Sequence, residues 1–174
     1  FQIAGYYHDA ADPLSAPPAG VLHRAFYISE QITKEQYKAF LNANPEWNKE
    51  SEYDIESADT VNASNVSWEA ADAYCKWLTG RLPSDLRGKF FHLPTEYEWE
   101  MAAMSAPETR QILWDWCRNW YYDAETFYKN CVPETYTGAE KAVRGGGEHI
   151  WTRGSQPAQW ATPFLGFRVV LTGK

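Results

Sequence analysis

Four segments of this chain, rich in glycine, tryptophan and charged residues, constrain its fold more than any other feature. The last and most informative begins with Val143-Arg-Gly-Gly-Gly147, continues through an irregular run and ends with Gly166-Phe-Arg-Val-Val170. The other three lie upstream, at Asn65–Leu78, Leu93–Glu100 and Trp114–Tyr121. One such segment alone would be weak evidence, but four in a fixed order along one chain are far more specific.

Two helices are predicted from residues whose side chains can cap them. Thr33 and Gln36 are spaced as a capping box, in which the two residues satisfy each other's backbone N–H groups. Ser67 can cap a second helix, and Gly80 is placed to end it. Apolar residues at helical spacing predict that each helix buries one face. These residues are Tyr37, Phe40 and Leu41 in the first helix, and Trp68, Ala71, Cys75 and Leu78, widened by Ala70, Ala73 and Trp77, in the second.

A third helix is predicted to begin after Thr95, which forms another capping box with Glu98, and to continue through Met104. Glu96, Glu98 and Glu100 could be read as catalytic carboxylates. Local structure explains them better, because Glu96 lies near the positive end of the helix and Glu98 closes the cap. We expect Glu100 to be solvated. The residues expected to face the core are Trp99, Ala102 and Ala103.

Three strands are predicted from runs of β-branched and aromatic residues, and polar stretches between them are predicted to be loops. The strands are Val21–Ser29, Ile112–Tyr122 and Leu165–Leu171. The acidic, non-periodic stretch 42–65 is predicted to be a surface loop.

Length and charge bound the functional classes. With 174 residues, 44% of them hydrophobic, the chain is expected to form a single domain over residues 1–174. Lysine and arginine number 16 against 23 acidic residues, and a net charge of −7 argues against non-specific binding of nucleic acid or of anionic membranes. No apolar run is long enough to predict a membrane span. The abrupt start leaves open that the chain is part of a longer protein, so the compartment is not predicted.

The four segments resemble the formylglycine-generating enzyme (sulfatase-modifying factor) family, a variant of the C-type-lectin fold. The resemblance implies an α+β domain with a C-type-lectin-like core and much irregular structure. It implies tight backbone packing at Gly145–Gly147 and a buried arginine at Arg168. A lone buried guanidinium is costly, so we predict that Arg168 pairs with a core carboxylate such as Asp115. Contact of Arg168 with a ligand is the alternative.

The three cysteines form no zinc-binding pattern. Cys75 lies within a predicted helix and Cys117 within a predicted strand, at positions where the family often has a buried cysteine. We therefore predict buried thiols. A disulfide between Cys117 and Cys131 remains an alternative that sequence alone does not decide.

Two departures from the family pattern bear on its chemistry. The family's long connection before the tryptophan-rich strand, which supplies calcium-binding loops, is here reduced to residues 105–111, so calcium binding is not predicted. The family enzymes hold copper with a cysteine pair after the Arg-Gly-Gly motif, and residues 148–165 contain no cysteine. No catalytic residue, metal or cofactor is therefore assigned, and the family's oxidation of a sulfatase cysteine is expected to be absent.

Function is predicted to be non-catalytic binding of a protein or other macromolecular ligand through residues 148–164. Tryptophan and arginine are frequent in binding hot spots, and glutamine supplies adaptable hydrogen bonds. The candidate binding residues are Glu148, His149, Trp151, Arg153, Gln156, Gln159 and Trp160. The layout is similar to the variable proteins of diversity-generating retroelements, which vary this same stretch. The alternatives are core packing of the two tryptophans, a divergent metal-dependent oxidase using His149, and an accessory domain of a larger protein.

Overall fold

The computed structural model describes residues 2–4, 26–49, 61–105, 113–123, 136–146 and 152–173. Within these ranges three helices and eight strands form the α+β arrangement that the sequence predicts. The helices are α1 (Lys34–Ala43), α2 (Trp68–Thr79) and α3 (Glu96–Ser105), and short 3-10 turns occupy Pro45–Lys49 and Ser84–Leu86. The strands are β1 (Gln2–Ala4), β2 (Phe26–Ile28), β3 (Lys89–His92), β4 (Trp114–Trp120), β5 (Lys141–Arg144), β6 (Arg153–Gln156), β7 (Leu165–Gly166) and β8 (Val170–Gly173).

The strands form two four-stranded sheets. The first sheet has the order β1-β2-β8-β3 and is antiparallel, with Phe91 opposite Leu171. The second has the order β6-β5-β4-β7, in which only the β4–β7 pair is parallel. None of the helices in the described ranges is both long enough and apolar enough to cross a membrane.

The C-terminal strand prediction is wrong in one respect, because Leu165–Leu171 is not continuous. β7 pairs with β4 in the second sheet, whereas β8 pairs with β2 and β3 in the first. Phe167 and Val169, between the two short strands, are buried in the core. Their burial explains why the whole segment has the apolar character of a single strand.

The helix caps are confirmed. The Thr33 backbone N–H donates to the Gln36 side chain at 2.9 Å, and the Gln36 N–H donates to the Thr33 hydroxyl at 3.2 Å. The Ser67 hydroxyl accepts from a first-turn amide of α2, and Gly80 is the C-cap of that helix. Thr95 and Glu98 exchange the equivalent pair of hydrogen bonds at 2.7 and 3.2 Å.

Aromatic rings fill the core between α1, α2 and the C-terminal segment. Tyr37, Phe40 and Tyr74 contact one another with ring centroids 5.6 to 6.1 Å apart. Phe167 meets Tyr74 edge-on at 5.3 Å, an arrangement that the ring quadrupoles favour. Tyr74 is missing from the predicted apolar stripe, whose end members Trp68 and Leu78 are only partly buried.

The predicted loop 42–65 is partly core in its described residues, and residues 50–60 lie outside the described ranges. α1 continues through Ala43, and Ala63, Ser64 and Asn65 are buried. The Ala63 backbone N–H donates to the Ile32 carbonyl at 2.8 Å, which fastens this segment beside α1. Backbone hydrogen bonds, rather than a hydrophobic pattern, hold these residues inside, so composition alone does not reveal their burial.

Buried polar groups converge on Asp115 in β4. Arg168 Nε donates to Asp115 Oδ2 at 2.8 Å, which confirms the predicted pair. Trp99 Nε1 donates to the same oxygen at 2.9 Å, and Gln31 Nε2 donates to Oδ1 at 2.7 Å. Asp115 is therefore satisfied on both oxygens, and its partners join the two sheets to α3.

Candidate functional site

The candidate site lies on the connection between β6 and β7, residues 157–164, called here the β6–β7 loop. Gln159 is exposed, and the side chains of Trp160 and Phe164 are unusually open for aromatic residues, at 53% and 65% exposure. Large exposed apolar groups on one short loop mark an interaction surface better than scattered single residues do. Of the predicted binding residues, Gln159 and Trp160 are brought together here.

The β6–β7 loop is held by backbone hydrogen bonds to the body of the protein. Three of its carbonyls accept from amides outside the loop, and a bond from the Trp160 N–H to the Pro157 carbonyl at 3.0 Å closes a turn within it. Such restraint lowers the entropic cost of presenting exposed side chains to a partner. The three anchoring bonds run from Trp68 N–H to Ala158 O (2.9 Å), from Asn65 N–H to Thr162 O (2.9 Å) and from Trp114 N–H to Phe164 O (2.8 Å).

Two glycines of the Val143–Gly147 segment allow the close packing that the resemblance implies. Gly145 has a φ of +101°, and a Cβ there would lie 2.9 Å from the Trp99 ring. A Cβ on Gly146 would overlap the indole of Trp114, whose amide anchors the loop. Gly145 therefore makes room for the Trp99 ring, and Gly146 makes room for the indole of the loop-anchoring Trp114. Gly147 lies outside the described residues.

Arg153, predicted to contact ligand, is instead engaged inside the protein. Its side chain is only 5% exposed, and its Nε and Nη2 donate to the two oxygens of Glu96 at 2.6 and 2.8 Å. Glu96 is fully buried and also accepts from Arg144 Nη1 at 3.2 Å. Arg144 Nη2 lies 3.3 Å from Glu100, so the prediction that Glu100 is solvated is wrong. The four charges neutralise one another in a low-dielectric interior.

A lysine that the sequence analysis overlooked lies beside the loop. Lys141, only 5% exposed, places its Nζ 3.8 Å from the ring centroids of both Trp68 and Trp120 and donates to the Arg118 carbonyl at 3.2 Å. Desolvation lowers the pKa of Lys141 to about 8, and the charge of Arg118 adds to the shift, whereas Asp72 opposes it. A lysine beginning a strand usually points to water, so no sequence signal marked this one.

Among the predicted binding residues that the structure describes, Gln156 is the partner of Lys141 in the strand pairing. The two are directly opposite in the β5–β6 pair, so their side chains share a face of the second sheet. Arg153, opposite Arg144, lies on the other face. Glu148, His149 and Trp151 lie outside the described residues. Phe164, by contrast, is exposed on the loop but is not among the predicted contact residues. The arrangement of the described residues therefore supplies aromatic surface and amide groups for binding.

The buried cysteines offer no reactive thiol. Burial raises the pKa of the Cys117 thiol well above its ordinary value, so that thiol is protonated at neutral pH and a poor nucleophile. Cys75 and Cys117 are both buried free thiols, whereas Cys131 lies outside the described residues. Among the residues described, no group of three or more histidine, cysteine or acidic side chains is placed to hold a metal ion.

The chain matches a protein family in sequence and several solved structures in fold. Residues 4–111 match the sulfatase-modifying factor enzyme 1-like domain, a match that ends before β4. No curated protein matches the sequence.

Three solved structures share the fold at low identity. Treponema denticola variable protein 1 is 18% identical over 84% of each chain, with a TM-score of 0.57. PvdO from Pseudomonas aeruginosa is 14% identical over 98% of this chain and 90% of its own, with a TM-score of 0.64. CarF is 15% identical over 84% of this chain and 86% of its own, with a TM-score of 0.57. The predicted C-type-lectin-like fold of the formylglycine-generating-enzyme type is confirmed.

Proposed function

The chain belongs to the family of the sulfatase-modifying factor enzyme 1-like domain, and we propose that it is a non-catalytic binding domain. Its partner is a protein or other macromolecule, held by the β6–β7 loop together with Gln156. The residues proposed to make contact are Gln156, Gln159, Trp160 and Phe164, with Glu148, His149 and Trp151 as the proposed extension of the surface. The whole of residues 1–174 serves in this proposal as one domain.

One observation carries the proposal: the loop holds exposed aromatic side chains on a restrained backbone. Trp160 and Phe164 together offer a large apolar area, and the hydrogen bonds to Ala158, Thr162 and Phe164 limit the freedom that binding would have to remove. Tryptophan is the residue type most typical of binding hot spots. Apolar side chains held in water on a fixed loop gain free energy when a partner covers them.

Charge distribution supports the same reading. From Gly154 through Leu165 the sequence contains no charged residue, although charged residues make up 22% of the chain. The cores of protein interfaces are depleted of charge in the same way. Arg153, at the edge of this stretch, is already paired with Glu96 and brings no free charge to the surface.

The absence of the family's cysteine pair from residues 148–165 favours binding over oxidation of a sulfatase cysteine. A soft thiolate pair suits Cu(I), and serine or alanine at those positions does not replace it. Similarity in fold to Treponema denticola variable protein 1 is compatible with this proposal, and contributes the scaffold alone.

The experiment combines partner capture with an activity assay. The immobilised chain is exposed to extracts beside the Trp160→Ala and Phe164→Ala variants and the control Val61→Ala, which changes an exposed apolar residue elsewhere. We expect a partner that the wild type and Val61→Ala retain and that both loop variants lose. Equal retention by all four proteins would contradict the loop as the site.

The activity assay incubates the copper-loaded chain with a sulfatase-type cysteine peptide, beside an active family enzyme. No formylglycine is expected. Formylglycine from this chain would overturn the non-catalytic proposal whatever the capture experiment finds.

A further inference from the structure

We propose that the ammonium group of Lys141 is a positioning device for the β6–β7 loop, acting through Trp68 and the strand pair Lys141–Gln156. The inference rests on the proposed function, since it concerns the surface proposed to bind. It adds a residue that contacts no partner but determines how firmly the contact residues are held.

The geometry links Lys141 to the loop by two short routes. Its Nζ lies over the ring of Trp68, and the Trp68 backbone N–H donates to Ala158 O at the start of the loop. The Lys141 backbone pairs with Gln156, the last residue before the loop. On each route a single residue, Trp68 or Gln156, connects Lys141 to the start of the loop.

The charge of Lys141 holds the two indoles in place. An ammonium is attracted to the face of an aromatic ring, and the attraction grows when water is excluded. The indole of Trp68 is also held at its edge, because its Nε1 donates to the Cys117 carbonyl at 2.8 Å. Trp120 is the second ring at the same 3.8 Å distance. A neutral amine loses this attraction, so the indoles and the amide of Trp68 become less restrained.

Within the described ranges, charged side chains surround Lys141 from α2, from β4 and from the residue before β5. On α2, Asp72 lies within electrostatic reach and pairs with Lys76 at 2.6 Å. On β4, Arg118 contributes a repelling charge. Glu140, the neighbour of Lys141, accepts a hydrogen bond from the Ser155 hydroxyl. Arg153 of β6 lies on the opposite face of the sheet with Glu96.

Because the pKa of Lys141 is lowered to about 8, its charge is lost in mildly alkaline solution, where an ordinary lysine stays charged. The restraint of the loop, measured as protection of its anchoring amides from hydrogen exchange, is therefore expected to fall between about pH 7 and about pH 9.5. A purely structural lysine would show no such profile.

Pulsed hydrogen exchange on the whole chain tests the inference without any partner. Exchange of the Asn65 and Trp68 amides, which donate to the loop, is divided by the intrinsic rate and compared with the Ser29 amide, which donates to Val169 O in the core. Protection of the two loop amides relative to Ser29 should fall about tenfold across this range. The indole N–H signals of Trp68 and Trp120 should titrate with the same midpoint.

Three variants complete the test. Lys141→Met should show low loop protection at every pH, and Lys141→Arg should show high protection throughout, because arginine stays charged. Lys89→Met is the matched control, because it removes another ammonium that lies over an aromatic ring, that of Tyr27 in the first sheet, and it should keep the wild-type profile. A flat wild-type profile, or neutral-pH protection in Lys141→Met equal to wild type, would overturn the inference. If neither Lys141 variant folds, the wild-type profile decides alone.

Failure of this test and failure of the proposed function are distinguishable. A loop whose order does not respond to Lys141 can still lose its partner in Trp160→Ala. A pH-dependent loop with no effect of Trp160→Ala on capture would leave the role of Lys141 intact and contradict the binding proposal.

Discussion

Arg153 donates hydrogen bonds to both oxygens of Glu96, with its Nε 2.6 Å from one and its Nη2 2.8 Å from the other. The Glu96 carboxylate that accepts them is fully buried. The pair joins the start of β6 to the first turn of α3. Because Arg144 also contacts Glu96, one carboxylate balances two guanidinium groups, with Glu100 completing the set. The strand that leads into the exposed loop is thus fastened from inside.

Glu96→Gln should destabilise the protein by about 3–5 kcal/mol, because it leaves buried arginine charge without compensation. Urea unfolding measures the change. Glu30→Gln, which removes an exposed carboxylate, should stay within about 0.5 kcal/mol of wild type. A loss at Glu96 no larger than that at Glu30 would show that the interior tolerates the unbalanced charge.

Gly146→Ala should destabilise the protein by about 1–3 kcal/mol, because the added methyl group overlaps the Trp114 indole and forces it to move. The β6–β7 loop should loosen as well, since the Trp114 amide donates to Phe164 O. Gly173→Ala is the matched control, because its Cβ would meet nothing within 4 Å. Unfolding curves for the two variants give the comparison, and equal midpoints would contradict the overlap.

Asn65 tests the second anchor of the loop. It is only 3% exposed, has a φ of 57°, and its Oδ1 has no hydrogen-bond partner in the described part of the chain. Glycine adopts this conformation freely, so Asn65→Gly should be tolerated better than Asn65→Ala, by about 1 kcal/mol. Thermal unfolding ranks the two variants, and a more stable alanine variant would be the contrary result.

Alkaline solution should weaken the fold through its buried thiols. Burial raises the pKa of Cys75 and Cys117 well above the ordinary 9.0, so the folded protein keeps both protons. Above about pH 9 the unfolded chain releases them, and the free energy of unfolding falls by about 1.4 kcal/mol per pH unit for each thiol. Urea titrations at increasing pH should show this slope, and the double variant Cys75→Ala/Cys117→Ala should remove it.

Lys141 acts in the opposite direction over part of the same range. Folding lowers its pKa from 10.5 to about 8, so between these values the unfolded chain binds more protons and stability rises with pH. The Lys141→Met variant should lack that rise, and the thiol slope is most clearly measured in its background.

Partner binding through the loop should be nearly independent of salt. Residues 154–165, which include the loop and Gln156, contain no charged residue, so screening removes no direct attraction there, and in the proposed extension only Glu148 carries a full charge. The dissociation constant of a captured partner should change less than about threefold between about 0.05 M and about 0.5 M salt. A steep salt dependence, measured by titration calorimetry, would place the contact on a charged surface instead.

The sequence predicted local structure where one residue or its near neighbours decide it. The caps at Thr33, Ser67 and Thr95 depend on residues at most three positions apart, and each is present. The partner of Arg168 was also predictable, because a buried guanidinium requires a carboxylate and Asp115 lies in the central strand.

Other features depend on residues distant in sequence, which no local pattern reports. Glu100 has the spacing of a solvated helix residue, and only the approach of β5 places Arg144 beside it. Arg153 has the composition of a surface contact until α3 brings Glu96 to it. The split between β7 and β8 arises because the two ends of one apolar segment pair with different sheets. The local sequence does not show which sheet each end joins.

That split has a consequence for the order of folding. β8 lies in the middle of the first sheet, between β2 and β3, so that sheet is complete only when residues 170–173 pair with strands far earlier in the chain. In the same C-terminal segment, β7 adds the parallel edge strand of the second sheet. Pairings between residues this distant in sequence form slowly, so we expect one short segment to complete both sheets late in folding.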